Sequence, residues 1–66
     1  MDDEMDWYVS IVEDATDEPN TVMGPMSKRR ADRVADGAGI NLNHEAWHID
    51  VRRKAQMHPD WLEKAR

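Results

Sequence analysis

Residues 44–53 read HEAWHIDVRR, and the conformation of this stretch decides the fold. Its first five residues match the HExxH signature of zinc peptidases, which requires a helix so that two histidines four positions apart share one face. The stretch alternates instead, because Trp47, Ile49 and Val51 are apolar and the residues between them are polar. Alternation with a period of two is typical of a half-buried strand. We therefore predict a strand over residues 46–53.

An extended backbone separates His44 from His48 by about 13 Å, at about 3.3 Å per residue. Two imidazoles so far apart cannot share a metal ion whose bonds to histidine nitrogen are about 2.1 Å long. We therefore predict a protein that is not an enzyme and that has no catalytic residue, metal or cofactor. A zinc hydrolase built on His44, Glu45 and His48 is the second alternative function.

The length of the chain and its lack of cysteine limit the possible classes of protein. A chain of 66 residues forms a single domain with a small core, which leaves little material for a substrate cleft. Without cysteine, disulfide frameworks, thiolate metal sites and cysteine nucleophiles are excluded. No apolar run reaches the length of a membrane span, and the acidic first residues are unlike a signal peptide. We expect a cytoplasmic protein with no membrane partner.

Charge is distributed unevenly along the chain, although the net charge is only −5. The first 20 residues contain eight acidic residues and no basic ones, whereas residues 21–66 contain all nine basic residues and six acidic ones. This distribution indicates an acidic disordered start over residues 1–6, a folded domain over residues 7–54, and a tail or short helix over residues 55–66. The acidic segment is also a candidate phosphate mimic.

Two strands and a helix are predicted before residue 46. Residues 7–12 are aromatic and β-branched, which favours a strand, and a turn-rich segment connects them to a second strand near residues 21–23. Gly24-Pro25-Met26 is predicted to end that strand. Ser27 is predicted to cap a helix that runs from Lys28 to about Asp36 and is ended by two glycines, Gly37 and Gly39.

The order of these elements predicts an α+β fold, namely a small β-β-α-β domain with a short C-terminal helix that begins at Pro59. One helix packs on one face of a three-stranded antiparallel sheet, and the first strand is central because the third returns beside it. Tyr8 is expected on the outer face of the sheet. The predicted core consists of Trp7, Val9, Ile11, Val22, Ala31, Val34, Ala35, Ile40, Leu42, Trp47, Ile49 and Val51.

Clustered basic residues and one tail tryptophan are the candidate binding residues. The cations near the start of the helix oppose the helix dipole, so local stability does not explain them. Trp61 either folds back onto the open sheet face or anchors a second subunit. The five methionines are interpreted as gap fillers. The predicted partner-binding residues are Lys28, Arg29, Arg30, Arg33, Arg52, Arg53 and Trp61.

Two short motifs resemble those of a family of small proteins encoded by phages of mycobacteria and other actinobacteria: Met23-Gly24-Pro25-Met26-Ser27 and Asn41-Leu42-Asn43-His44. The resemblance covers roughly residues 7–52 and implies a phage origin, expression in the host cytoplasm, and binding to a host or phage macromolecule. We predict a non-enzymatic protein that binds a host or phage protein, with a homodimer formed by edge-strand pairing as an option. The first alternative is a nucleic-acid-binding module that uses the basic helix face, with Tyr8 as a stacking residue.

Overall fold

The computed structural model of this chain describes residues 5–65. Its elements are β1 (Trp7–Glu13), β2 (Glu18–Met26), α1 (Lys28–Ile40), β3 (Trp47–Arg53), a 3₁₀ turn (Lys54–Gln56) and α2 (Pro59–Leu62). The predicted α+β class and β-β-α-β order are confirmed, as is the short helix with Pro59 at its start. Residues 1–4 of the predicted disordered start lie outside the described residues.

The sheet has the order β2-β1-β3, so the first strand is central as predicted. β1 and β3 form an antiparallel ladder without irregularity, from Trp7 opposite Arg53 to Glu13 opposite Trp47. Backbone hydrogen bonds extend the ladder beyond both ends, since Lys54 N donates to Asp6 O at 2.8 Å and Asp14 N donates to Ala46 O at 2.8 Å. The strand predicted over residues 46–53 is therefore confirmed except for its first residue.

β2 is longer than predicted, and the prediction that Gly24-Pro25-Met26 ends it is wrong. The strand continues by means of a bulge, in which Gly24 and Pro25 lie opposite Tyr8 alone. Gly24 has a φ of +143°, and a Cβ there would lie 2.7 Å from the Trp7 carbonyl oxygen and 2.7 Å from Tyr8 Cδ2. Only glycine permits this close approach of β2 to β1.

α1 begins as predicted but ends four residues later. Ser27 Oγ accepts a hydrogen bond from Arg30 N at 3.1 Å, which confirms the N-cap. The helix then continues through both glycines to Ile40, so its predicted end near Asp36 is wrong. The cost of the two glycines, about 1 kcal/mol each, is offset because the helix end packs on β3 and its Gly39 carbonyl oxygen lies 2.9 Å from His44 Nε2.

The longer helix also explains why Ile40 is not a core residue. Ile40 follows Ala31 by nine positions, or about two and a half turns of 3.6 residues each, and therefore lies on the opposite face of α1. Ala31 is fully buried whereas Ile40 is 80% exposed, so the core prediction is wrong for Ile40.

Apolar residues cover both faces of the sheet. On one face α1 packs on β1, β2 and β3, around the buried residues Val9, Met26 and Ala31. On the other face the C-terminal segment covers Tyr8 and Val22. Tyr8 therefore lies on the face away from α1, as predicted, but it is buried there and is not available as a stacking residue. The residues that complete this second cluster are Met57, which is buried, and Trp61, Leu62 and Ala65, which are partly buried.

Candidate interaction surface

The HExxH stretch does not form the helix that zinc peptidases require. Residues 44–46 form a turn and residues 47–53 form β3, so the backbone is extended through the second histidine. The two imidazoles also have different partners, because His44 lies against the end of α1 and His48 Nδ1 lies 2.5 Å from Asp14 Oδ1. Within residues 5–65, no three histidine or carboxylate side chains are grouped as a metal site.

The pair formed by His48 and Asp14 joins β3 to the turn between β1 and β2. The hydrogen bond that the His48 ring donates to the Asp14 carboxylate raises the pKa of His48. The nearby carboxylates of Asp50 and Asp17 raise this pKa further, and partial desolvation opposes them. Both side chains of the pair are close to half exposed. The pair therefore acts as a surface ion pair that strengthens when His48 is protonated.

Two of the predicted binding residues, Lys28 and Arg53, flank the indole ring of Trp7. Lys28 Nζ lies 5.2 Å and Arg53 Cζ lies 5.8 Å from the ring centroid, which is the range of cation–π contacts. Lys28 also pairs with Asp32 at 2.9 Å, and Arg53 Nε lies 3.3 Å from Asp6 Oδ2. Both cations thus have intramolecular partners that hold them beside Trp7, at the start of the central strand.

Arg52 and Trp61 lie on the other side of the sheet. Arg52 faces away from α1, because it is opposite Tyr8 in the ladder, and it pairs with Asp50 at 3.5 Å. Trp61 packs against the cluster of Tyr8, Val22 and Met57, so it folds back onto the sheet. The seven predicted residues are therefore distributed over both faces and do not form one patch.

Arg29, Arg30 and Arg33 form the remaining group, which we call the arginine cluster. All three are exposed on α1, and within residues 5–65 none of their side chains makes a hydrogen bond or an ion pair. Their position in the first half of the helix is unfavourable for cations. The fold therefore gains no stability from them that would explain their presence.

A groove of about 420 Å³ lies beside the arginine cluster, between α1 and the end of β2. Val34 and Arg30, one helical turn apart, form its helix side, and Gly24-Pro25 lies on its strand side. Three methionines complete the lining: Met5, Met23 and Met26. Met5 is 62% exposed, so the groove has an apolar rim that is open to solvent. We call this feature the methionine groove.

Sequence reasoning missed the methionine groove. The interpretation of the methionines as gap fillers fits Met26 and Met57, which are buried in the two clusters, and Met23, which packs partly buried against the first of them, but not the exposed Met5. The sequence signal for the groove was the pair of methionines, Met23 and Met26, on either side of Gly24-Pro25. The bulge lies at Gly24-Pro25, and this end of β2 lines the groove together with α1. The bulge itself has no clear signature in the sequence.

Comparisons with known proteins add no relative to this description. No protein-family model matches the chain, and neither the curated proteins nor the solved structures contain a match to it. Within residues 5–65, none of the helices has the length and apolar character needed to cross a membrane.

Proposed function

We propose that this chain is a small non-enzymatic protein that binds a partner protein through the exposed face of α1. The observation that supports this most strongly is the arginine cluster, whose three cations have no counter-ion within residues 5–65. Arginine is enriched where proteins recognise carboxylates, because its planar group donates two parallel hydrogen bonds. The resemblance to actinobacterial phage proteins supports a host or phage protein as the partner and the host cytoplasm as the place of action.

A partner protein fits this surface better than nucleic acid does. Lys28, Arg52 and Arg53 have acidic neighbours that reduce their attraction for phosphate. Tyr8, the only tyrosine, is buried and cannot stack on a base. The groove beside the arginines is apolar, and such a surface suits a protein side chain and not a phosphate.

A capture experiment with a matched control tests the proposal. The immobilised wild-type protein is compared with a triple variant, Arg29→Gln, Arg30→Gln and Arg33→Gln. The control variant loses three cations elsewhere, by Arg52→Gln, Lys54→Gln and Lys64→Gln, and so has the same net charge. We expect the wild type and the control to retain the same host protein from nuclease-treated lysate at moderate salt, and the arginine variant to lose it.

Two outcomes of the capture experiment would contradict the proposal. If the arginine variant retains its partners as well as the wild type does, the cluster is not the binding surface. If nuclease treatment removes the bound material and retention falls steeply with salt, nucleic acid is the ligand instead.

The free edge of β3 supports a homodimer as a second mode of action. The outer edge of β2 is obstructed, since Ala65 bridges Val22 there and proline at positions 19 and 25 removes two donors. Within residues 5–65 no strand covers the outer edge of β3. The hydrogen bonds at both ends of the β1–β3 ladder are made by even-numbered residues of the β3 side, Ala46 and Lys54. Because neighbouring residues of a strand direct their backbone groups to opposite sides, the odd-numbered Ile49 and Val51 direct theirs away from β1, to the free edge.

Sedimentation and amide exchange test the homodimer. We expect the sedimentation coefficient to rise with protein concentration, and the exchange of the Ile49 and Val51 amides to slow in parallel. The amides of β1, which are already paired, serve as the internal control and keep their rates. A sedimentation coefficient that stays at the monomer value at all concentrations would rule out this dimer.

A further inference from the structure

We propose that the methionine groove and the arginine cluster together bind an acidic peptide segment that carries one exposed apolar side chain. The inference rests on the proposed function and specifies the chemistry of the partner. In the complex, the apolar side chain enters between Met5, Met23 and Val34, and the acidic residues beside it pair with the arginine cluster, of which Arg30 lines the groove. The segment therefore needs both features, and neither is sufficient alone.

The groove is suited to a side chain of variable shape. Methionine is flexible and polarisable, so it adapts to different apolar groups, as it does on other adaptable binding surfaces. The strand side of the groove is fixed, since Gly24 approaches Trp7 and Tyr8 as closely as only glycine permits. The groove thus has an exposed apolar rim at Met5 and a closely packed wall at Gly24-Pro25.

The arginine spacing favours a segment with several carboxylates over a single anionic ligand. Arg29 and Arg33 are separated by about 6 Å along the helix axis, at 1.5 Å per residue. Alternate residues of an extended peptide are about 6.6 Å apart. The spacing of acidic side chains on one side of a peptide therefore matches the spacing of Arg29 and Arg33, which lie on successive turns of the helix. A fatty acid, in contrast, supplies one carboxylate for the three cations.

The peptide binds by its side chains and not by adding a strand to the sheet. Strand addition next to the groove would use the outer edge of β2, where Pro25 has no N–H to donate. Charge complementarity and the apolar anchor must therefore supply the affinity. Binding should consequently weaken both when salt is added and when the anchor is removed.

Fluorescence anisotropy with designed peptides tests this inference. The first labelled peptide contains one leucine flanked by aspartates, the second has serine in place of leucine, and the third has asparagine in place of every aspartate. We expect the wild-type protein to bind the first peptide at least about tenfold more tightly than the other two, because each loses one of the two contacts. Equal binding of the first and second peptides would show that the groove is not used.

Single substitutions then locate the site. Arg30→Glu and Met5→Ser should each weaken binding of the first peptide about tenfold. Lys64→Glu changes the net charge as much as Arg30→Glu does, but at an exposed position beside Pro19 on the opposite face of the sheet, and should leave binding within about twofold. Met5→Ser is a mild substitution for the fold, since Met5 is 62% exposed. If Lys64→Glu weakens binding as much as Arg30→Glu does, the attraction is general and the inference is wrong.

The outcomes also separate this inference from the proposed function. If the wild type captures a host protein through its arginines but does not bind the first peptide, the groove has been assigned the wrong ligand and the interaction function stands. If the peptide binds but no host protein is captured, the function is wrong. Binding of a labelled DNA duplex more tightly than the first peptide would overturn the inference in favour of nucleic acid.

Discussion

The two faces of the sheet are covered in different ways. On the α1 face all three strands contribute apolar side chains, such as Met26 from β2, Val9 from β1 and Ile49 from β3. The opposite face, which residues 57–65 partly cover, is called the tail face. On it β1 and β2 contribute Tyr8, Val12 and Val22, but β3 contributes polar residues: His48, Asp50 and Arg52. The C-terminal segment therefore covers only the half of that face next to β2.

This difference shows how strand position determines burial. β1 is central and is covered on both sides, so Val9, Ser10 and Val12 are all fully buried. β3 is an edge strand covered on one side, which is why it shows clean alternation of apolar and polar residues. The α1 face has a continuous core, whereas the tail face has a partial one that a short segment holds in place.

Two methionines with the same exposure allow the faces to be compared directly. Met26 on the α1 face and Met57 on the tail face are each 7% exposed. Met26→Ala should lower the free energy of unfolding by about 2–4 kcal/mol, because the cavity that the shorter side chain leaves lies in a cluster that the helix and sheet hold rigidly. Such a loss is comparable with the whole stability of a domain this small, about 3–5 kcal/mol. Urea unfolding followed by tryptophan fluorescence measures it.

Met5→Ala is the control for this largest effect. Met5 is 62% exposed, so its truncation should change the free energy of unfolding by less than about 0.5 kcal/mol. If Met26→Ala costs no more than the control does, the α1 face is not the continuous core described above.

Met57→Ala should lower the free energy of unfolding by less than Met26→Ala does, by about 1–2 kcal/mol, although the residue type and its exposure are the same. Met57 is followed by a helix of only four residues, and so short an element can relax into the cavity or detach. Hydrogen exchange provides a second measurement, in which amides of residues 57–65 should exchange much faster than those of β1 in the wild-type protein. Equal protection of both regions would show that the tail belongs to the same cooperative unit.

The sequence predicted the α1 side of the fold better than the tail side, for physical reasons. Ser27 and the alternation at Trp47, Ile49 and Val51 are local signals, and the structure confirms both. The end of α1 was missed because propensity opposes helix at Gly37 and Gly39, while packing and the contact with His44 outweigh it. That contact connects residues that local patterns treat separately.

The candidate site was predictable only in part. The arginine cluster followed from composition and from its place early in the helix. The ion pairs of Lys28 with Asp32 and of Arg52 with Asp50 are local, whereas the pair of Arg53 with Asp6 depends on the tertiary structure. The methionine groove depends on the bulge at Gly24-Pro25, which a strand pattern does not reveal. Composition can therefore identify candidate cations, whereas the fold determines which of them have partners.

The smallest predicted effect concerns the polar half of the tail face, where His48 pairs with Asp14. Because the folded protein raises the pKa of His48, the pair stabilises the fold fully at pH values below the unfolded pKa, about 6.5, and this contribution is lost as the pH rises through the folded value. Asp14→Asn should therefore destabilise the protein slightly at about pH 5.5 and hardly at all at about pH 8.

The effect is small because the two side chains are 45% and 44% exposed, so that solvent screens their attraction. NMR titration of His48 measures the pair directly, and Asp14→Asn should lower the pKa of His48 because it removes both the largest hydrogen-bonding contribution and a nearby charge. Asp36→Asn, which removes a carboxylate from α1, is the control and should leave that titration unchanged. If both variants lower the pKa equally, the overall charge of the protein determines it, and the polar half of the tail face has no specific ion pair to distinguish it from the rest of the surface.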